Sequence, residues 1–427
     1  MIKKIFLFLY IASNFLYADK VYTIDELILK ALDNSPDIQI SSSEFEVSKQ
    51  RKKVAFSNYL PKVDLQLSAG EVGMSNLQDD MENSSIMMGT LNVDQIIYDF
   101  GKTSGNFDIN KYKTEASLHS LKQKISNKKL HVKTAYYNVL KSLALIDVNK
   151  ESVELNKVQL YRSKKYYAAG IRTKIDISDA KVRLIKASLE LRKSQYNLEL
   201  AYSYLDRVVG FEDLQREYTI YFKNLDLTNL YDKLVNYDLT LKEAIEFAYK
   251  KREIVKQQNY NIKSSKANEV YTTSRYYPSL YLNANYSRRE TQKFKLALPQ
   301  NQYQALVNLN WNLYEGGKTS ALDEETRINT FIESSRLRDV KLIIKEQATR
   351  AYINLNKMKD SVKLSQSLLG ISKEKFTQAQ KRYQHGLSDY IELQEARQGY
   401  IDAMAGLVVD YYNYYNAIAI LDNAIGR

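Results

Sequence analysis

Two stretches of the chain alternate apolar and polar residues with a period of two, and each stretch directly follows a proline. After Pro61, the apolar positions are Val63, Leu65, Leu67 and Ala69. After Pro278, they are Leu280, Leu282, Ala284 and Tyr286. Proline ends a helix because it lacks a backbone donor and clashes with the preceding turn. The alternation therefore predicts β-strands at about 62–72 and 279–288.

A second alternating stretch follows each of these strands, at about 87–98 and 303–314. One apolar face and one face of Asn, Gln, Ser and Asp is typical of a strand in a membrane barrel with a water-filled lumen. A soluble antiparallel sheet with one solvated face shows the same alternation, so the strands alone leave both interpretations open. In a barrel, the polar segments 71–85 and 288–302 are expected to be the cell-surface loops.

A different period, of seven residues, governs the segment between Gly101 and Gly170. The segment contains no proline and predicts one helix over 102–168, near 100 Å long at ~1.5 Å per residue. The seven-residue repeat consists of Leu118, Ile125, Val132, Val139, Ile146, Val153 and Leu160. Between Gly317 and Gly386, the repeat consists of Ala348, Leu355, Val362, Leu369 and Phe376. This spacing predicts left-handed coiled-coil seams.

Further helices are predicted on both sides of these segments. They cover about 36–59 and 251–277 before the prolines, and about 172–209 and 388–425 after the long helices.

The order of elements occurs twice, because the two halves of the chain are copies of each other. Gly101-Lys102-Thr103-Ser104 matches Gly317-Lys318-Thr319-Ser320, and Pro61 matches Pro278. The offset of 216 or 217 residues is far longer than a solenoid repeat of roughly 20–50 residues. The sequence thus predicts two structural repeats, over 19–230 and 231–427.

The N-terminal segment has the features of a secretory signal. Lys3 and Lys4 precede an apolar run that ends near Ala18, and this run is too short for a stable membrane span. Residues 1–18 are therefore predicted to be a cleaved signal peptide, with a retained anchor as the alternative. The chain contains no cysteine, which excludes disulfides and thiolate metal sites. These features suit an envelope protein of a two-membrane cell.

The residues suggest no enzyme, cofactor or metal centre. Gly-Lys-Thr-Ser lacks the upstream glycine of a phosphate-binding loop, since Ile96 and Asn312 occupy that position. The three histidines have no metal-ligand spacing. The net charge of +12 fits a solvated basic face, and no nucleic-acid motif accompanies it, so no nucleic-acid partner is expected.

Two acidic pairs occupy equivalent positions in the repeats. Asp176 and Asp179 follow Gly170, and Glu392 and Glu395 follow Gly386. Residues three apart project from one helix face. Spacing alone favours ordinary acids at a helix start, where the helix dipole stabilises negative charge.

The duplicated order of helix, proline, strand, loop, strand, Gly-Lys-Thr-Ser and long helix resembles the TolC-type outer-membrane efflux channels. The resemblance covers essentially the whole mature chain. Its most specific segments are Arg382–Gly386 and Ile391–Ala396, with Tyr167–Gly170 and Ile175–Ala180 as their counterparts.

The resemblance implies a mainly α fold with a transmembrane β-barrel portion. Three identical chains would each give four strands to a 12-stranded barrel, and their long coiled-coil helices would form an α-barrel tunnel in the periplasm. Three chains also close the barrel without open edges, which lipid does not tolerate. The link at about 217–227 is expected to form a belt strand. Because the sequence ends at Arg427, the C-terminal belt strands are expected to be short or missing.

The resemblance also implies functional residues. Glu392 and Glu395 match the acidic ring at the periplasmic entrance of the channel. Tyr383 and Asp176 match residues of the network that holds the entrance shut. Ser388 stands where the family has the arginine of that network, and Lys174 or Arg172 could replace it.

The sequence patterns and the resemblance lead to two candidate functions from different classes. The first is an outer-membrane exit duct of a tripartite efflux or type I secretion system, with a periplasmic adaptor and an inner-membrane RND or ABC transporter as partners. The alternative is a soluble periplasmic coiled-coil scaffold or adaptor, which would need no lipid-facing strands.

Overall fold

Helices form most of the chain in the computed structural model, which describes residues 20–75, 81–212, 216, 218–291 and 300–427. The predicted signal peptide lies outside the described residues. The helices are α1 (Ile24–Asn34), α2 (Pro36–Ser57), α3 (Lys102–Ala168), α4 (Lys174–Val209), α5 (Leu241–Lys251), α6 (Glu253–Thr273), α7 (Lys318–Gln384) and α8 (Tyr390–Ile425). The strands are β1 (Lys20–Tyr22), β2 (Lys62–Ser75), β3 (Met81–Tyr98), β4 (Tyr218–Ile220), β5 (Ser279–Thr291) and β6 (Asn301–Asn310).

The two longest helices, α3 and α7, each contain 67 residues and begin directly after a glycine with positive φ. Gly101 has φ 104° and Gly317 has φ 86°, a region that side chains other than glycine rarely adopt. The two Gly-Lys-Thr-Ser segments are therefore strand-to-helix turns. Thr103 stabilises the first turn, because its backbone nitrogen donates to Asp99 Oδ2 at 2.8 Å.

Four strands form one antiparallel sheet in the order β2-β3-β5-β6. Each repeat supplies one hairpin, and the pairing of β3 with β5 joins the two hairpins. In the described part of the chain, β2 and β6 are the edges of the sheet and each pairs on one side only.

The register places apolar rows from all four strands on one face of the sheet, although Tyr281 and Leu306 lie on the other face. One cross-strand row consists of Leu65, Leu91, Tyr286 and Tyr303. The adjacent row on the opposite face consists of Asp64, Asn92, Asn285 and Gln304. The apolar row is 41–87% exposed. A soluble sheet covers its apolar face with other parts of the protein, whereas an exposed apolar ladder of this kind suits contact with lipid.

Three predicted segments differ from the structure in their extent. The predicted loops 71–85 and 288–302 were too long, because β2 continues to Ser75, β3 begins at Met81, β5 ends at Thr291 and β6 begins at Asn301. Of the remaining loop residues, 76–80 and 292–299 lie outside the described residues. β6 ends at Asn310 rather than 314 because its partner β5 begins at Ser279, which pairs with Asn310.

The expected belt strand at 217–227 is only three residues long. β4 covers Tyr218–Ile220 and pairs in parallel with β1. The rest of the described link does not pair as a strand. Side-chain hydrogen bonds fix its backbone instead. Asp226 Oδ1 accepts from the Thr228 backbone nitrogen at 3.0 Å, and Gln366 Nε2 donates to Leu227 O at 3.1 Å. These contacts satisfy backbone groups that a longer strand would have paired.

The chain divides into two compact units, and each draws on both repeats. The first unit comprises Met1–Pro36, Ile125–Thr240 and Arg350–Asn423. Its described part contains two apolar clusters. One surrounds Val139, Leu205 and Val209, and the other surrounds Tyr383, Leu393 and Ala396. The seven-residue seam of α3 points inward, since Val132, Val139, Ile146 and Val153 are buried.

The second unit comprises Asp37–Lys124, Leu241–Thr349 and Ala424–Arg427. It contains the four-stranded sheet and an apolar cluster that includes Val255, Ile344 and Ala348. Helices α3 and α6 approach closely at Gly105. A β-carbon there would lie 2.8 Å from the Tyr271 backbone nitrogen, so only glycine permits this contact.

Candidate functional site

Two tight turns in the first unit join long helices, and they have the same hydrogen-bond pattern. Gly170 (φ 72°) follows α3, and Gly386 (φ 73°) follows α7. The Ile171 nitrogen donates to Tyr166 O at 2.9 Å, and the Leu387 nitrogen donates to Arg382 O at 2.8 Å. This is the Schellman arrangement, which requires the left-handed residue that glycine supplies. The duplicated glycines thus fix both helix ends next to the candidate residues.

The helices that follow these turns begin with different caps. In α4, Asp176 Oδ2 accepts from the Thr173 backbone nitrogen at 3.0 Å and from the Thr173 hydroxyl at 3.2 Å. In α8, Asp389 Oδ1 accepts from the Glu392 nitrogen at 2.8 Å. In the first repeat, Asp176, the first acid of its pair, therefore caps α4. In the second repeat Asp389 performs that role, which leaves the Glu392 carboxylate available for other contacts.

Glu392 and Glu395 lie on the accessible side of α8. Glu395 is exposed, and Glu392 is partly exposed and forms an ion pair with Arg382, whose Nε lies 3.2 Å from Glu392 Oε1. Both partners are well solvated, so this ion pair contributes little to stability. The structure thus places the two glutamates on one accessible face of the helix, as their spacing predicts.

Tyr383, at the end of α7, is buried against aromatic neighbours. Its ring centroid lies 6.2 Å from that of Tyr166 and 6.1 Å from that of Tyr390. The Arg172 guanidinium lies 4.9 Å from the Tyr383 ring centroid, a cation–π geometry. Burial raises the pKa of Tyr383, the Arg172 charge opposes that rise, and Asp176 adds a smaller increase.

Arg172 also joins the two helix turns. Its Nη2 donates to the Ser388 carbonyl oxygen at 3.4 Å, so a cation from the first repeat contacts the backbone of the second. Asp176 acts electrostatically on Tyr383, and Arg172 lies over the tyrosine ring. Of the two cations that could replace the arginine missing at Ser388, the structure brings Arg172 to this position.

A buried arginine two residues after Glu395 was not predicted from the sequence. Arg397 is 3% exposed, and its Nη2 donates to Gln159 Oε1 at 3.1 Å. Burial lowers the pKa of Arg397 to about 10, and Arg162 and Arg183 add to that effect. One signal could have revealed it, because Arg397 interrupts the apolar helical stripe of Tyr390, Leu393 and Ile401.

The described residues do not form a metal centre. Among them, no three His, Asp or Glu side chains lie together in a way that could hold a metal ion. His119 instead pairs with Glu253, with Nδ1 and Oε2 2.5 Å apart. In the same part of the chain, no helix combines the length and apolarity needed to cross a membrane.

The family of the chain follows from its sequence. The profile of the outer membrane efflux protein family matches residues 27–210 and 245–427, one match in each repeat. The chain belongs to this family. It is therefore an efflux-channel protein of the outer membrane rather than an enzyme. No curated protein matches the sequence.

Solved structures share the fold at low sequence identity. A membrane protein from Pseudomonas aeruginosa is 14% identical with a TM-score of 0.83, over 96% of this chain and 94% of that one. The CmeC outer membrane channel of Campylobacter jejuni is 16% identical with a TM-score of 0.81, over 94% and 85%. The outer membrane protein VceC of Vibrio cholerae is 15% identical with a TM-score of 0.81, over 94% and 96%.

Proposed function

We propose that the protein is the exit duct of a tripartite system, assembled as a homotrimer in the outer membrane. In this proposal it receives small molecules or polypeptides from an inner-membrane RND or ABC transporter through a periplasmic adaptor. The observation that carries the proposal is the four-stranded sheet with one exposed apolar face and one polar face. A periplasmic scaffold, the alternative, has no use for an exposed apolar ladder.

The edges of the sheet support the trimer. β2 and β6 leave backbone donors and acceptors unpaired in a single chain, and such edges are not tolerated in lipid. Pairing β2 of one copy with β6 of the next closes a barrel. Two copies would give eight strands, a barrel that side chains largely fill, whereas three copies give 12 strands and room for a lumen.

The same proposal places the periplasmic entrance at the two helix turns. Glu392 and Glu395 would form a ring of six carboxylates in the trimer. The caps favour the second repeat over the first, because Asp176 is hydrogen bonded to Thr173 whereas the Glu392 carboxylate is not used for capping. Tyr383 and Asp176, together with Arg172, would hold the entrance shut by fixing the two turns against each other.

The acidic ring can be tested in planar bilayers. Like charges in a confined lumen concentrate the field, so wild-type channels are expected to prefer cations. Trivalent cobalt hexammine is expected to block them from the periplasmic side. The double variant Glu392→Ala, Glu395→Ala should lose most of the block and some selectivity. Its trimer should still assemble, because both side chains are accessible and contribute little to packing.

The matched control is the equivalent pair of the first repeat. Asp176→Ala with Asp179→Ala removes the α4 cap, at a cost of about 1 kcal/mol of stability. It also removes Asp176 from the closing network, so the basal conductance should rise, but the block should remain because the glutamate ring is intact. A block that disappears only in the aspartate variant would move the ring to the first repeat. A block that survives in both variants would show that neither pair lines the entrance.

A further inference from the structure

A polar cavity lies within the first unit, between α3, α4 and α8. Its volume is about 360 Å³. Its cationic lining residues are Arg183, Lys186 and Arg397, and the amides of Asn156 and Gln394 also face it. The described residues that line it come from α3, α4 and α8, so both repeats contribute.

Two buried donors at this cavity have no partner among the described residues. Arg397 and Gln394 are each 3% exposed. Arg397 Nε and Gln394 Nε2 make no hydrogen bond. A buried donor without a partner costs free energy, and a buried charge costs more. Both residues line the cavity, so an acceptor bound there would lie next to these donors.

The contacts of the Arg397 side chain are all to neutral groups. Nη1 donates to Asn156 Oδ1 at 3.4 Å, and Nη2 donates to Gln159 Oε1 at 3.1 Å. The guanidinium carbon lies 5.8 Å from the Phe376 ring centroid. No described carboxylate forms an ion pair with Arg397, so its charge is left without a counter-ion.

The acidic residues that line the cavity are engaged with other side chains. Glu190 Oε1 lies 2.7 Å from Lys193 Nζ, and Asp402 Oδ1 accepts from Gln398 Nε2 at 2.8 Å. Around the cavity, three cations thus face two acids, and the charge of Glu190 is already paired with Lys193. The net positive charge of the lining residues favours binding of an anion.

We propose that this cavity is a binding site for a small oxyanion of the phosphate or sulfate class. A guanidinium presents N–H groups in a planar fork that matches oxyanion geometry. Arg397 Nε and the Gln394 amide would donate to the anion, while Arg183 and Lys186 supply charge at the opening. The proposal concerns the helical unit and does not depend on whether the channel transports small molecules or polypeptides.

The test is calorimetric titration of the purified, full-length oligomer with inorganic phosphate at constant ionic strength. Saturable binding is expected, with one site per chain. Arg397→Met should weaken it by at least tenfold. Arg183→Gln should weaken it severalfold, and because Arg183 is exposed this variant is expected to fold normally even if Arg397→Met does not. Sulfate added beforehand should compete with phosphate.

Lys181→Met is the matched control. Lys181 is the repeat equivalent of Arg397, is exposed, and does not line the cavity, so its loss should leave the affinity unchanged. An equal weakening in this variant would indicate diffuse attraction to a basic surface and would overturn the site. Absence of saturable binding would also overturn it, because the cavity would then contain only water.

Discussion

Val139→Asp should destabilise the protein by about 3–5 kcal/mol and reduce the yield of assembled oligomer. Val139 is 0% exposed and lies in the apolar cluster with Leu205, Val209 and Tyr136. A carboxylate at this position has no hydrogen-bond partner to replace water, so its charged form is strongly disfavoured. The measurement is thermal or denaturant unfolding of the purified protein, together with the yield of detergent-stable oligomer.

The pH dependence of the Val139→Asp variant gives a second readout. Burial raises the pKa of a carboxyl in the folded state. The destabilisation should therefore be largest at neutral pH and lessen as the pH falls toward the unfolded value near 4. Val158→Asp on the same helix is the control, since Val158 is 47% exposed. Equal unfolding curves for the two variants would show that the seam is not a buried core.

Leu65→Arg should impair insertion of the sheet into the outer membrane. Leu65 lies in the exposed apolar row with Leu91 and Tyr286. On the lipid side of a barrel, arginine costs about 2–4 kcal/mol near the bilayer centre and less near its surfaces. On a soluble sheet, the same change at an exposed position would alter stability by less than about 0.5 kcal/mol. Outer-membrane fractionation and unfolding in lipid vesicles measure the difference.

Gln66→Arg provides the comparison at nearly the same depth. Gln66 is the next residue on β2 and points to the polar face, opposite Thr90. The Gln66→Arg variant should insert normally, because an arginine that faces a water-filled lumen remains hydrated. If the two arginine variants fractionate alike, the two faces of the sheet do not differ in their surroundings and the lipid-facing assignment fails.

The long helices were predictable because several independent signals agree. The seven-residue seam of α3, the absence of proline and the flanking Gly101 and Gly170 all indicate one uninterrupted helix. In the structure the helix covers Lys102–Ala168, and the seam points inward. Glycine is informative at these ends because the backbone has positive φ there.

The ends of the strands were harder to predict, and the reason is physical. The apolar alternation of β2 weakens after about Ala69, yet the strand continues to Ser75. Backbone pairing with β3 continues through Gly70, Glu71 and Gly73, none of which is an apolar residue that could contribute to a period-two pattern. Strand ends that rest on backbone hydrogen bonds alone leave little trace in a hydrophobic pattern.

The candidate site combines local features with contacts between distant residues. The glycines and the spacing of Glu392 and Glu395 are local, so the sequence reveals them. The approach of Arg172 to Tyr383 and of Arg397 to Gln159 joins residues more than 200 positions apart. A single sequence gives no direct signal for such pairs, which is why the burial of Arg397 was missed.

The most direct test of an outer-membrane duct is the labelling of single cysteines with a membrane-impermeant maleimide. The natural chain contains no cysteine, so each introduced thiol reports one position. Asn76→Cys, between β2 and β3, should react on intact cells. Lys174→Cys, at the first helix turn, should react only after the outer membrane is permeabilised. If Asn76→Cys also required permeabilisation, the sheet would not reach the cell surface, and the periplasmic scaffold would replace the duct.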